Sequence, residues 1–391
     1  MEINKIMKDL STDNSNSNKS LYHGKLITTI FILVYLFIDF LRLFEIIPLV
    51  IGNSLYVLLG SIAIVLSTAI NGIRKQIPMF IFIFFYTFFG AIGIVLNGNM
   101  NIQELLWPFA FMGITLLFLN FGLPNKVIKY IFYFVCIFFI TIIVISGGVD
   151  NLNMVSSRNT ISIIVLFYFS LYAISNYTNN IKITIYPILL GLIVTIMAIG
   201  RSGIFTFSIL IFLFLLFRFD GKKYKIRNPL KLTVTLVVAG IILLVSYNFL
   251  EVYFAQTISN FENRGLDSVR DILWQDYINK TLTSAKYLFF GTPIGGTYLL
   301  DTFNNNLHNS LLMLHAKYGL SMFVTIVMLI INTLVYSMKT KNIVFFILLI
   351  ALLFRMQFDY TNFNAQLDII LFYLIFATFI KRNIPYKGTT L

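Results

Sequence analysis

The chain has 391 residues, of which 58% are hydrophobic and 12% charged, and it carries a formal net charge of +13. Soluble domains run at roughly 45–50% apolar and about 25% charged residues, so this composition excludes a soluble globular protein and places the chain in a lipid bilayer. Its one cysteine, Cys136, sits inside an apolar run, which excludes an intramolecular disulfide and leaves the redox compartment open.

Residues 1–25 make a polar tail whose stretch "STDNSNSNKS" is too hydrophilic to pack, and it is expected to be disordered in the cytoplasm. The apolar run that begins at Leu26 ends without a small-residue cleavage site and is read as a retained first helix. Within it Asp39, Arg42 and Glu45 stand at three-residue spacing and are expected to pair with one another near the helix exit. A helix of about 20 residues crosses a hydrocarbon core of about 30 Å. Twelve apolar runs approach that length: 26–44, 46–70, 77–96, 104–122, 128–146, 160–177, 183–199, 203–219, 232–250, 320–337, 343–358 and 365–380. The expected fold is therefore an all-α polytopic membrane protein of about 12 transmembrane helices with a large external loop. Nine spans fall in 26–250, the loop covers 251–307, a histidine-bearing segment with three more spans covers 308–380, and 381–391 form a second cytoplasmic tail. No internal repeat is evident.

Short loops rich in Lys and Arg stay in the cytoplasm. With both termini inside, 20 of the 29 basic residues fall on the cytoplasmic side, six of them in "RFDGKKYKIRNPLK" at 218–231. The other nine are Arg42, Arg158, Arg201, Arg264, Arg270, Lys280, Lys286, Lys317 and Arg355, at the outer face or in the outer half of a helix. Six of those nine are arginine, against four of the twenty inside. Lysine suffices for topology and anionic lipid, whereas arginine grips phosphate with two donors, so the outer set asks for an anion.

The loop at 251–307 is far longer than an ordinary connection, and loops of that length are functional or disordered. Its sequence reads as ordered. "LDSVRDILWQDYINKTL" at 266–282 is an amphipathic helix with Val269, Ile272 and Leu273 on one side and Arg270, Trp274 and Tyr277 on another. The glycine-rich turn "GTPIGG" follows, and then "NNNLHNSLLMLHAKYGL" at 304–320, whose His308 and His315 would share one face of a helix.

From Arg270 to Gly319 the order is "SVRDILWQDYIN", "YLFFGTPIGG" and "LHNSLLMLHAKYGL", and upstream "IGRSGIF" at 199–205 sets an Arg-Ser pair at a helix start. This ordered set resembles the O-antigen ligase/polymerase family of bacterial membrane glycosyltransferases. In that family a large external loop runs Arg, Trp, a Gly-rich turn and then His-Asn before a helix ending near glycine. The matching elements cover about a quarter of the chain, and the twelve spans with a late long loop extend the agreement to the topology.

The resemblance implies a GT-C-like glycosyltransferase in the bacterial cytoplasmic membrane with its active site facing outward. Donor and acceptor would be polyprenyl-pyrophosphate-linked oligosaccharides, and polyprenyl pyrophosphate would be released. A flippase and a chain-length regulator would be accessory partners, and nucleic acid would not be one. Such a transfer builds negative charge on the leaving pyrophosphate and takes a proton from the acceptor hydroxyl, so it needs placed cations and a base. His308, beside Asn309, matches the His-Asn element and would be the base; neutral imidazole accepts a proton near neutral pH. Arg270 and Arg201 would hold the pyrophosphate, with Arg158 a third contact and Arg264 a further one. Trp274, Tyr277 and Tyr298 would contact sugar. No cofactor or metal is needed if the arginines supply the charge.

Each assignment has a structural competitor. Arg270 would pair with Asp267 or Asp271 on a surface helix, Arg201 would snorkel to headgroups, and Arg158 would be an ordinary outer-loop charge. His315 matches no family element and is read as a helix residue facing a polar cavity or a headgroup. Aromatic residues also gather at membrane interfaces without touching a substrate. "GTPIGGTY" has the glycines of a phosphate loop but no lysine at 297, and two histidines seven apart with Asp301 do not form a metal pattern. The reading taken is a polymerase of lipid-linked repeat units for a surface polysaccharide. Its alternatives are a ligase using a different acceptor and, from another class, a flippase or secondary transporter, which would carry charges at mid-span and lack a folded external loop.

Overall fold

The computed structural model describes residues 2–152, 154, 158–217, 270–295, 306–363 and 365–382, with the backbone alone for 2–22, 75 and 380–382. Among the described residues every regular element is helical: α1 Glu2–Leu43, α2 Leu49–Asn71, α3 Ile77–Asn97, α4 Trp107–Phe121, α5 Asn125–Ile145, α6 Asn159–Thr178 and α7 Tyr186–Met197. They continue with α8 Arg201–Leu216, α9 Arg270–Leu282, α10 Ala285–Phe290, α11 Ser310–Lys339, α12 Ile343–Phe358 and α13 Asp368–Arg382.

Seven of these are long and apolar enough to cross a membrane: α1 from His23, α2, α3, α4 with the 3-10 turn Ile102–Leu106 before it, α5, α6 and α11. Four shorter apolar helices, Tyr186–Met197, Arg201–Leu216, Ile343–Phe358 and Asp368–Phe379, lie where the seventh, eighth, eleventh and twelfth spans are expected. α12 covers the expected eleventh span to the residue, and α13 begins three residues after the expected start of the twelfth. The connection between them is tucked into the protein, with Asp359, Thr361, Asn362, Phe363 and Leu367 all buried. The expected ninth span at 232–250 lies outside the described residues. At the N-terminus the backbone of α1 runs as helix through the polar stretch assigned to the tail.

Large apolar side chains such as Val65 on α2, Phe84 and Val95 on α3, and Tyr130 and Ile137 on α5 stand exposed. In water such faces would drive association, whereas in hydrocarbon they are the expected surface. The interior is built around α6, of whose membrane window 83% is buried, and around α13, whose residues Ile369 to Ala377 are all buried. Helices α2 and α4 approach backbone to backbone. A Cβ on Gly60 would collide with the carbonyls of Phe109 and Ala110, and one on Gly113 with the carbonyl of Gly60. Small residues at a crossing let two helices gain dispersion contact where lipid supplies no hydrophobic drive.

The three charges at the end of α1 do not pair with one another as their spacing suggests. Asp39 accepts hydrogen bonds from Tyr56, from Tyr168 at 3.1 Å and from Gln366 at 2.8 Å. Arg42 lies over the Tyr56 ring, 4.9 Å from its centroid. A buried carboxylate needs donors aimed at it, and helices packed against α1 supply them better than neighbours on the same helix. The network ties α1 to α2, α6 and the loop before α13 at one end of the bundle.

Candidate active site

At that same end the loop elements fold onto α11. On α9 the buried positions are Leu273, Tyr277 and Thr281, spaced four apart, while Ile272 is 55% exposed. This corrects the expected faces: Leu273 and Tyr277 share the buried side, and Ile272 is not part of it. They form a small second core with Ile294, Leu307, Met313 and Ala316. Polar contacts close the seam. Asn99, after α3, donates to the carbonyls of Thr292 (2.7 Å) and Ala316 (2.8 Å) and accepts from Ile294 N. Lys280 donates to the carbonyls of Pro293 at 3.0 Å and Gly295 at 2.8 Å. Gly319 breaks α11 with φ +74°, where a Cβ would meet the backbone of Phe289 and Phe290.

His315 belongs to this seam. Its Nε2 lies 2.8 Å from the Leu288 carbonyl and its Nδ1 2.6 Å from the Tyr277 hydroxyl. A carbonyl only accepts, so Nε2 carries the proton and Nδ1 accepts from the phenol. Burial pushes the Tyr277 phenol up, which keeps its proton in place. Both groups are spent on holding the loop to α11.

His308 is not on a helix and so does not share a helical face with His315. It precedes the N-cap of α11 with φ +48°, and its N–H donates to Asn306 Oδ1 at 2.8 Å. Asn309 caps α11, accepting from the N–H groups of Leu311 (3.0 Å) and Leu312 (3.1 Å), and donates to Gln357 Oε1 at 3.1 Å. Ser310 Oγ donates to the Asp359 carbonyl at 2.8 Å and accepts from Thr361 N. Trp274 Nε1 donates to the carbonyl of Leu307 at 2.8 Å. His308 is thus fixed from both sides and set against the end of α12.

There it meets Asp359. Asp359 Oδ1 lies 3.7 Å from His308 Nδ1, and Oδ2 lies 3.1 Å from both Arg355 Nη2 and Ser202 Oγ, the hydroxyl donating. Arg355, 1% exposed, also donates to Ser202 and to the Asn159 carbonyl at 3.3 Å. Arg270 Nη1 donates to the Phe358 carbonyl at 2.7 Å, which brings the loop helix into the same cluster. Burial pushes the Asp359 carboxyl up, but the contact with His308 and the charges of Arg355 and Arg270 outweigh it and hold the group below the usual carboxylate range. The cluster therefore joins one ionised carboxylate, one imidazole and two guanidinium groups drawn from α9, the start of α11 and the end of α12. Arg201, the first residue of α8, adjoins Ser202, so a third arginine stands at a helix N-terminus beside them.

Comparison with family models, curated proteins and solved structures finds no match to this chain. The resemblance in the loop motifs therefore rests on the residues themselves.

Of the residues singled out in the sequence, His308, Asn309, Arg270 and Arg201 come to this end of the bundle, with Trp274 supporting them. Tyr277 is 1% exposed and engaged with His315. Arg158 lies 3.4 Å from Asp150 and immediately precedes Asn159, whose carbonyl receives Arg355. Arg264 and Tyr298 lie outside the described residues, as does Asp267. Sequence reasoning missed Asp359, Arg355 and Ser202 as site members. One signal was present: Arg355 and Asp359 are the only charged residues from 343 to 360, four apart at the end of an apolar run, where ionisable groups mark function or pairing. An apolar groove of about 970 Å³ between α3, α4, α11 and α13, lined by Arg74, Phe82, Leu329 and Phe379, lies at the other end of the bundle and holds none of these residues.

Proposed function

We propose that the protein is a membrane glycosyltransferase that polymerises polyprenyl-pyrophosphate-linked repeat units for a bacterial surface polysaccharide. The observation that carries the reading is the convergence of His308, Asp359, Arg355 and Arg270 at one end of an all-helical bundle. In the reaction an acceptor hydroxyl attacks the anomeric carbon of the donor glycan. The new bond is carbon to acceptor oxygen, the broken one is carbon to pyrophosphate oxygen, and the pyrophosphate leaves with the electron pair. With Nδ1 turned to Asp359, His308 presents Nε2 to the acceptor hydroxyl and takes its proton, and Asp359 orients the ring and balances the imidazolium formed. Arg270 and Arg201 hold the pyrophosphate. Arg158 is a further contact that must exchange Asp150 for it. Arg355 sits too deep to reach substrate and instead positions Asp359.

The four short apolar helices and the run at 232–250 complete twelve spans of a GT-C-like fold, with both termini in the cytoplasm and the site facing outward. A ligase using another acceptor shares these elements and stays the nearest alternative. A flippase or secondary transporter is less favoured, because its charges would line a mid-membrane path whereas these gather at one end beside a folded loop. Purified protein in detergent, where no gradient exists, should elongate defined lipid-linked repeat units into a ladder of longer products. Transfer to a different acceptor without elongation would favour the ligase, and substrate movement without any new glycosidic bond would favour the transporter.

A further inference from the structure

Asp359 faces His308 and Arg355, but the next residue, Tyr360, belongs to a different pocket. A cavity of about 210 Å³ is lined by Asn53 near the start of α2, by Asn101, Gln103 and Glu104 around the 3-10 turn before α4, and by Trp107, Lys317 and Tyr360. Sites that enclose drug-sized ligands run at roughly 300–1,000 Å³, so this one takes a single ring. Its charges are balanced. The Lys317 ammonium pairs with the Glu104 carboxylate and stands 5.0 Å from the centre of the Tyr360 ring. One positive and one negative lining group, spent on each other, give little hold on a free anion, cation or zwitterion. What the lining adds beside the pair is neutral and polar, the side-chain amides of Asn53, Asn101 and Gln103, each with donors and an acceptor. Asn53 Oδ1 is buried in this setting with no hydrogen-bond partner, and buried acceptors are rarely left so. Trp107, stacked on Phe111 at 5.2 Å between centroids, adds an aromatic wall. A neutral polyol ring answers this combination, since its hydroxyls both donate and accept and its C–H faces pack on aromatics.

We propose that this pocket binds one neutral pyranose sugar, a subsite one residue along the chain from Asp359. The inference rests on the glycan-transfer reading for which substrate presents that ring, and it deepens it by naming where a sugar next to the reacting one is held. The chain has two tryptophans, so Trp274→Phe leaves Trp107 as the sole indole reporter. Full-length protein in detergent is titrated with methyl glycosides of glucose, galactose and N-acetylglucosamine, with inorganic phosphate and glycerol as controls. At least one glycoside should change Trp107 emission saturably while phosphate and glycerol do not. Asn53→Ala should weaken that glycoside by about tenfold, as loss of one buried hydrogen bond would. Saturation-transfer NMR on the unmodified protein gives the same reading if Trp274→Phe fails to fold. Unchanged affinity in Asn53→Ala, saturation by phosphate instead, or no saturable glycoside in either measurement overturns the proposal. The titration needs no turnover, so sugar binding without polymerisation would defeat the proposed function and leave the subsite, and polymerisation without this binding would do the reverse.

Discussion

Replacing Asp359 separates what the buried cluster does for stability from what it does for chemistry. Asp359→Asn keeps the shape and one acceptor for Ser202, but removes the charge opposite Arg355, 3.1 Å away and 1% exposed. Removing one partner of a buried pair leaves an uncompensated charge and costs about 3–5 kcal/mol. The single variant should therefore show a clearly lower unfolding midpoint in detergent. Adding Arg355→Met removes the stranded charge as well, and replacing both members of a buried pair by packed groups is neutral or stabilising by about 1–4 kcal/mol. The double variant should thus recover most of the midpoint. Activity should not follow, because His308 has still lost the carboxylate that orients it, and losing a working general base removes about 10²–10⁴-fold of rate. The assay is initial elongation rate at matched protein amounts beside thermal unfolding of the same samples. A double variant that regains rate together with stability would make Asp359 a structural residue and refute the reasoning. An Asp359→Asn protein as stable as the parent would show that Arg355 carries no buried charge to strand.

The two histidines should part in the same way. His308→Ala is expected to abolish elongation with an unchanged unfolding midpoint, whereas His315→Ala, which leaves Tyr277 and the Leu288 carbonyl without their partner, should lower the midpoint by the equivalent of about 1–3 kcal/mol per unmet group and keep appreciable rate; equal loss of rate from both counts against the assignment. Arg270→Lys preserves charge but not the planar fork, so it should lose on the order of 10²-fold in rate if Arg270 stabilises the leaving pyrophosphate, and near-normal activity would remove it from the site. For orientation, with Cys136 replaced, a cysteine at Ser284 should react with an impermeant thiol reagent on intact or outer-membrane-permeabilised cells and one at Lys223 should not; the reverse pattern would put the His308 end of the bundle in the cytoplasm.

Apolar run length read the helices well because a segment surrounded by lipid or by other helices has no polar choices to make. It placed the end of α12 at residue 358, where the structure has it, and did not anticipate the helical backbone from Glu2. What the polar composition after residue 358 did not reveal is that the connection folds inward, held by Asp39 against Gln366 and by Ser310 against Asp359. Motif order brought His308, Asn309 and Arg270 forward because those residues lie close along the chain. Asp359 was invisible to it. Its meaning comes from Ser202, 157 residues away, and from His308 at the start of another helix, and the Arg355/Asp359 spacing that the sequence does show carries no trace of either. Tyr277, expected to contact sugar, is instead engaged with His315, which was read as a helix residue outside the motif. A tyrosine on a loop helix before a glycine-rich turn looks like a substrate contact, yet buried between two elements it bonds to His315 on α11.

Under the proposed function, glycan transfer at the His308 site releases polyprenyl pyrophosphate. Its most direct measurement counts both products in one tube: purified protein in detergent, a defined lipid-linked repeat unit, a divalent-metal chelator present, and quantification of new glycosidic bonds beside free polyprenyl pyrophosphate. One pyrophosphate should be released per bond formed, and His308→Ala should give neither product. Bonds formed only when the chelator is left out, or equal product from His308→Ala, would contradict it.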